Sequence, residues 1–331
     1  MENCLEFNLD SIIKQRGIKR KGYINISMKP DGSYVRIPVM VICGNEEGPV
    51  ILADACTHGD EYEGAEAVIK VAKELDCSTL KGTFIGVPAV NLDAANSGRR
   101  ESPYDMSHAD LNRVFPGSDD SFLSSYIAKI YMDMVIKKAD YYITMHGGGN
   151  NLYLEPVVIY MEPSNDVGKM SMKMADAFDL QVQWKLQMDQ FAGVADAEAA
   201  KIGIPVITPE LGGQCIRHAD RQKNIDLAYT GILNVMKVIG MLEGSFETRR
   251  DKIHVDTYYL YNEAGGIHIP LKKPLEKAVK GEVLSIIENF FGETVGEVIA
   301  PFDGIVIGYW SYTVIQPHSW AFLYAKILPV Q

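Results

Sequence analysis

The feature that most constrains this chain is an alternation. From about residue 22 to residue 243, short runs rich in β-branched and apolar residues take turns with longer stretches whose apolar residues recur at helical spacing. Strands are expected over 22–28, 33–44, 49–56, 82–91, 141–145, 157–161 and 205–208, with a hairpin turn at Pro30-Asp31-Gly32 between the first two. Helices are expected over 63–75, 121–138, 166–178, 195–202 and 224–243. The stretch from Leu92 to Ser118 is long and irregular, and such loops inside a domain usually carry function. This order predicts an α/β fold with a mixed, mostly parallel sheet and helices on both faces. After Gly244 the alternation stops. A polar stretch, 244–252, leads into short apolar runs between Gly and Pro turns. The expected organisation is a catalytic domain over 1–247 and a small C-terminal all-β domain over 248–331.

Length and charge narrow the partners. A chain of 331 residues, 47% apolar and 23% charged, can bury a sizeable core. Its net charge of −11 argues against nucleic acid, which needs a basic surface. A local arginine pair can still hold a small anion. No apolar run approaches the ~18 residues of a membrane span, and the first twenty residues show no signal-peptide core. Five cysteines (Cys4, Cys43, Cys56, Cys77 and Cys215) form no CxxC pair. A reduced, cytoplasmic setting is expected.

Four segments carry chemistry. In the first, Thr57-His58-Gly59-Asp60-Glu61 lies where a strand ends and a helix begins, the place where open α/β sheets bind ligands. Imidazole nitrogen and carboxylate oxygen suit zinc, and Gly59 allows a tight turn. In the second, His146-Gly147-Gly148-Gly149 again delivers a histidine to the end of a strand. A His, Glu, His set leaves one zinc position open, as catalytic sites do. In the third, Pro209-Glu210-Leu211-Gly212-Gly213 puts a carboxylate where it can accept a proton and return it to a leaving amine. In the fourth, Arg99, Arg100 and Arg113 lie in the long loop. One arginine suits a developing oxyanion and another a substrate carboxylate. Taken singly, each segment also has a plain structural reading, such as ion pairing of the arginines with Glu101, Asp105 or Asp110.

Together, HGDEYEG, the R-x-x-P-x-D stretch running into DLNRVFPG, MHGGG and PELGG resemble the succinylglutamate desuccinylase/aspartoacylase family, part of the wider zinc carboxypeptidase fold. The resemblance spans about residues 20–330. It implies one zinc ion per subunit, with His58, Glu61 and His146 as ligands and Glu210 as general base and acid. It also implies that Arg100 polarises the scissile carbonyl and that Asn112 and Arg113 hold the carboxylate of the amino-acid part. Arg99 stands beside Arg100, and the sequence does not separate them. Two departures are visible. Many members carry Asp two residues before the third ligand, where this chain has Thr144, so an acidic partner to a zinc histidine is expected from elsewhere. Ser107-His108-Ala109 lengthens the loop and offers His108 as an extra ligand. The glycines after His146 and the β-domain look most like the bacterial branch that deacylates N-acyl amino acids such as acetylated diaminobutyrate.

The activity implied is zinc-dependent hydrolysis of the amide of a small N-acyl amino acid. A peptide-cutting metallocarboxypeptidase and a non-catalytic metal- or ligand-binding member of the fold are the competing readings. The C-terminal strands resemble a biotinyl-like barrel, but no lysine sits in the tight turn a carrier needs. A structural or oligomerising role for that segment, and with it a homo-oligomer, is the expectation.

Overall fold

The computed structural model describes residues 7–187, 191–214 and 217–329. After a short helix, α1 (Leu9–Ile12), come β1 (Ile18–Met28), β2 (Tyr34–Cys43) and β3 (Glu46–Asp54). Next are α2 (Glu63–Glu74), β4 (Lys81–Val87), α3 (Leu92–Ser97), α4 (Leu123–Met134) and β5 (Tyr141–Thr144). Then follow β6 (Leu152–Leu154), β7 (Val157–Met161), α5 (Asp166–Phe178), β8 (Val182–Leu186), α6 (Ala195–Lys201), β9 (Val206–Glu210) and α7 (Arg217–Val238). The rest is strand: β10 (Ile253–Tyr261), β11 (Gly266–Pro270), β12 (Lys277–Ala278), β13 (Val283–Glu288), β14 (Thr294–Ile299), β15 (Gly304–Trp310), β16 (Val314–Ile315) and β17 (Trp320–Ile327).

One sheet of 13 strands runs β1-β2-β4-β3-β5-β9-β7-β8-β10-β17-β15-β12, with β6 on β15. It is mixed, as expected. Parallel pairing occupies its middle, in β4-β3-β5-β9 and β7-β8-β10, and the remaining pairs are antiparallel. Helices cover both faces. Residues of α2, α5 and α7 pack with Ile51, Phe84, Ile143 and Ile207 on one face. Residues of α1, α4 and α6 pack with Leu52, Ile85, Tyr142 and Val206 on the other. The period-2 alternation of each strand divides its side chains between these two cores.

The all-β character after Gly244 is observed, but its strands go to two places. β10, β12, β15 and β17 extend the large sheet, so that sheet crosses position 247 without interruption. β14-β13-β11-β16 form a separate four-stranded sheet around Leu284, Ile287, Val298 and Ile315. The polar stretch before β10 is docked rather than free. Arg249 N–H donates to Asp179 Oδ1 at 2.8 Å, and Lys252 pairs with Asp176 at 3.1 Å.

Several elements escaped the sequence reading, among them α1, α3, β6 and β8. α3 lies inside the irregular stretch, started by Asn91, whose side chain accepts from Ala94 N–H, and stopped by left-handed Gly98. β6 is only three residues long, and in β8 the polar Gln183 and Lys185 interrupt the apolar run that marked β5 and β7. The last long helix begins at Arg217 rather than 224 and ends at Val238, shortly before Gly240 at φ +79°. No helix among the described residues is long and apolar enough to cross a membrane. Cys43 and Cys77 form no disulfide among the described residues, Cys56 Sγ donates to Glu61 O at 3.1 Å, and Cys4 and Cys215 lie outside the described residues.

Candidate active site

Three neighbouring strands of the sheet, β3, β5 and β9, run parallel and end at the same edge. Asp54 at the end of β3 pairs in register with Thr144 at the end of β5, and His146 bridges to Glu210 at the end of β9. His58 and Glu61 lie in the loop from β3 into α2, and His146 lies just past β5. The sequence thus delivers three motifs to one edge because each follows its own strand.

His58, Glu61 and His146 converge, and all three are buried. His58 Nδ1 lies 2.9 Å from Glu61 Oε1, His146 Nδ1 lies 2.9 Å from Glu61 Oε2, and the two Nδ1 atoms are 3.2 Å apart. Tetrahedral zinc with bonds of ~2.0–2.2 Å requires donor atoms about 3.3–3.6 Å apart. Two imidazole nitrogens and a carboxylate already within a few tenths of that spacing fit zinc well. Gly147 N–H donates to Glu61 Oε2 at 3.1 Å and fixes the carboxylate. Gly59 is required for space: a Cβ there would lie 2.1 Å from the Ala94 carbonyl carbon of α3. The turn was expected to need its backbone freedom, but close approach is the constraint.

Of the two neighbouring arginines, Arg100 reaches this site. Its Nε and Nη2 donate to Asp110 Oδ2 at 3.1 and 2.9 Å, and its Nη1 lies 3.4 Å from Glu61 Oε1. Arg99 is exposed, and so is His108, which is absent from the donor cluster. Asn112 Oδ1 accepts Ala195 N–H at 2.9 Å, which leaves its Nδ2 facing His146 Nε2 at 3.4 Å. Arg113 lines the same cavity and is paired with no carboxylate among the described residues.

Asp110 is the residue that sequence reasoning undervalued, reading it only as a surface partner for arginine. Its Oδ1 lies 2.9 Å from His58 Nε2 and accepts Asn112 N–H at 2.8 Å, while Oδ2 takes Arg100. A carboxylate on the far nitrogen of a histidine fixes the tautomer that leaves Nδ1 free for a metal. The acidic partner expected from outside position 144 is therefore found, although it serves His58. A second acid, Asp54, stands level with Thr144 on the neighbouring strand, where its Oδ2 accepts from the Tyr131 and Tyr142 hydroxyls at 2.6 Å each. Its Oδ1 has no partner.

Charge and burial compete throughout. Burial would raise Glu61, but the two histidines outweigh it and hold its carboxyl far below the usual range. Burial would likewise lower His58 and His146, and Glu61 raises both instead. At Glu210 burial wins. It pushes the carboxyl up to about 8, against the pull of His146 and with help from the charges of Glu61 and Asp196. Burial also lifts Asp54 to about 6, opposed by its two tyrosine hydrogen bonds.

The donor cluster opens into a cavity of about 130 Å³. Its charged and donor lining includes His58, Glu61, Arg100, Arg113 and Glu210. Its apolar and aromatic lining includes Trp184, Leu186, Phe191, Tyr259 and Leu323, so β10 and β17 contribute to the site. Trp184 and Phe191 both set ring edges against Tyr259. Buried Trp184 Nε1 has no hydrogen-bond partner among the described residues.

With this geometry in hand, the chain was compared with known proteins. The profile of the succinylglutamate desuccinylase/aspartoacylase catalytic domain matches residues 47–239. A protein of Halomonas elongata named N-alpha-acetyl-L-2,4-diaminobutyric acid deacetylase is 28% identical over 257 residues, which is 74% of this chain and 73% of that one. Among solved structures, the product-bound ectoine utilization protein EutE (DoeB) of Ruegeria pomeroyi superposes with a TM-score of 0.86 at 24% identity, covering 95% of this chain and 96% of that one. The succinylglutamate desuccinylase/aspartoacylase of Rhodobacter sphaeroides also gives 0.86 at 24% identity, covering 96% and 98%. At such identities the structural likeness speaks for the fold, and the match over residues 47–239 speaks for descent. This chain belongs to the succinylglutamate desuccinylase/aspartoacylase family.

Proposed function

We propose that this protein is a zinc-dependent hydrolase that cleaves the amide bond of a small N-acyl amino acid, releasing a carboxylate and a free amino acid. The observation that carries the reading is the meeting of His58 Nδ1, Glu61 and His146 Nδ1 within 2.9–3.2 Å, in a cavity that Glu210 also lines. The deacetylase name of the Halomonas elongata relative supports the same chemistry.

His58, Glu61 and His146 would hold the zinc, which when bound acidifies water and stabilises negative charge on the scissile carbonyl. Glu210 takes a proton from the attacking water and hands one to the departing amine. Arg100, anchored by Asp110, presents its guanidinium beside the donor set and supports the developing oxyanion. Arg113 has no carboxylate partner among the described residues and takes the substrate's α-carboxylate, with the Asn112 amide nitrogen beside it. A cavity of about 130 Å³ is small beside the ~300–1,000 Å³ of sites for larger ligands and argues against a peptide chain.

The test is a panel of N-acetyl, N-formyl and N-succinyl amino acids against blocked dipeptides, with zinc-loaded protein. Hydrolysis confined to acyl amino acids is expected. Faster cleavage of the dipeptides would replace this reading with a carboxypeptidase.

A further inference from the structure

Three carboxylates line the cavity. Glu61 belongs to the donor set and Glu210 is the proton carrier, but Asp196 has neither task. It is 7% exposed. Its Oδ1 accepts Ala197 N–H at 2.7 Å, its Oδ2 accepts the Thr208 hydroxyl at 2.8 Å, and no lysine or arginine among the described residues pairs with it. A buried anion without a cation is costly, and a wall this apolar makes it more so. Two neutral donors orient the carboxylate without neutralising it.

Its position is fixed relative to the rest of the site. Asn112 Oδ1 accepts Ala195 N–H at 2.9 Å, and Phe115 N–H donates to Gly193 O at 3.0 Å, so the loop carrying Asp196 is tied to the loop carrying Arg113. Gly193 sits at φ +77°, and a Cβ there would lie 2.2 Å from Arg113 O. Among the described residues, the cavity therefore holds Arg113 without a carboxylate partner and Asp196, in the first turn of α6, without a cationic one, on two segments locked together. Thr208, which holds Asp196, is two residues from Glu210 on β9, a separation of about 7 Å.

We infer that Asp196 is the specificity residue of the pocket and selects amino acids with a short side chain ending in an ammonium group. The inference rests on the deacylase reading above. With the α-carboxylate on Arg113 and the scissile nitrogen beside Glu210, a side chain of two or three methylenes brings its ammonium to Asp196. A neutral side chain leaves Asp196 unpaired, and an acidic one sets two like charges together. Both arrangements select against those substrates.

The experiment compares N-acetyl-2,4-diaminobutyrate with its uncharged isostere N-acetylnorvaline and with N-acetylglutamate. It also titrates free 2,4-diaminobutyrate and norvaline calorimetrically into wild type, Asp196→Asn and Thr208→Val. Wild type should favour the diamino substrate over the norvaline one by about 30-fold or more in kcat/KM, with N-acetylglutamate poorest. Asp196→Asn should collapse that ratio, and the corresponding ratio of the two amino acids' binding constants, toward one. Thr208→Val should shift both ratios the same way by less, which keeps the inference testable if Asp196→Asn fails to fold. Equal turnover of the diamino and norvaline substrates by wild type would overturn it while leaving the deacylase reading intact. So would an Asp196→Asn protein that loses both activities equally, the mark of a merely structural carboxylate. If no acyl amino acid is hydrolysed, the deacylase reading falls, and equal binding of the two free amino acids by wild type would then overturn the role of Asp196 separately.

Discussion

The cavity has two kinds of lining, built in different ways. The donor group, His58, Glu61, His146 and Glu210, stands at the ends of the central parallel strands β3, β5 and β9 in glycine-containing segments. The surrounding wall, with Trp184, Phe191, Asp196, Tyr259 and Leu323, comes from β8, the segment after it, α6, β10 and β17. The first is polar and tied by short hydrogen bonds, and the second is largely apolar apart from Asp196. On the proposed reading the difference separates chemistry from selectivity: the donor group acts on an amide common to many substrates, and the wall meets the group that distinguishes them.

If that division holds, damage to the donor group reduces turnover and damage to the wall changes substrate preference. The largest effect is expected from Glu210→Gln. It keeps volume and hydrogen-bonding capacity but removes the proton carrier, so kcat should fall by about 10³-fold or more with zinc content unchanged. Steady-state kinetics with metal analysis checks this, and wild-type turnover would assign the base elsewhere.

Asp54 comes second. Its carboxyl is fully buried and is pushed from 3.8 to about 6. The folded state therefore favours the protonated form. The stability this group contributes is complete below about pH 4 and is lost as pH rises through 6, amounting to ~3 kcal/mol by neutral pH. Asp54→Asn should abolish that dependence. Urea unfolding of both proteins, stripped of metal, at pH 4 and pH 7 measures it. A stability difference between them that is the same at both pH values contradicts the expectation.

Asp110→Asn should weaken zinc binding by about 10–100-fold, because His58 loses the acceptor that holds its tautomer. A competitive chelator titration reads this directly. The smallest effect is expected at the wall. Leu186→Ala should raise KM by roughly 10-fold and leave kcat close to wild type, since Leu186 lines the cavity without belonging to the donor group. A large loss in kcat instead would mean that donor group and wall are not separable.

The same division explains what the sequence made legible. His58, Glu61, His146 and Glu210 could be read because each lies next to its own strand in the chain, so local pattern and site coincide. Arg100 and Asp110 are ten residues apart in a loop with no periodicity, and only the fold shows that they meet at His58. Asp196 lies in the first turn of a helix and Tyr259 is one of several aromatic residues of β10, and nothing in the sequence singles either out. Their roles depend on β8 and β10 joining the large sheet beside β7, a long-range pairing that a local reading of five-residue runs does not reveal. The continuation of that sheet past residue 247 was hidden for the same reason. Loss of helical periodicity marks where helices end, but it does not say which sheet the following strands will join.

The most direct test of the central claim is hydrolysis of an N-acetyl amino acid by protein stripped with a chelator and then titrated with zinc. Activity should vanish on stripping and return in proportion to zinc, reaching its plateau at one ion per chain. The same titration of a His146→Ala protein should restore nothing. Full activity in the stripped protein, or full recovery without His146, would contradict the account.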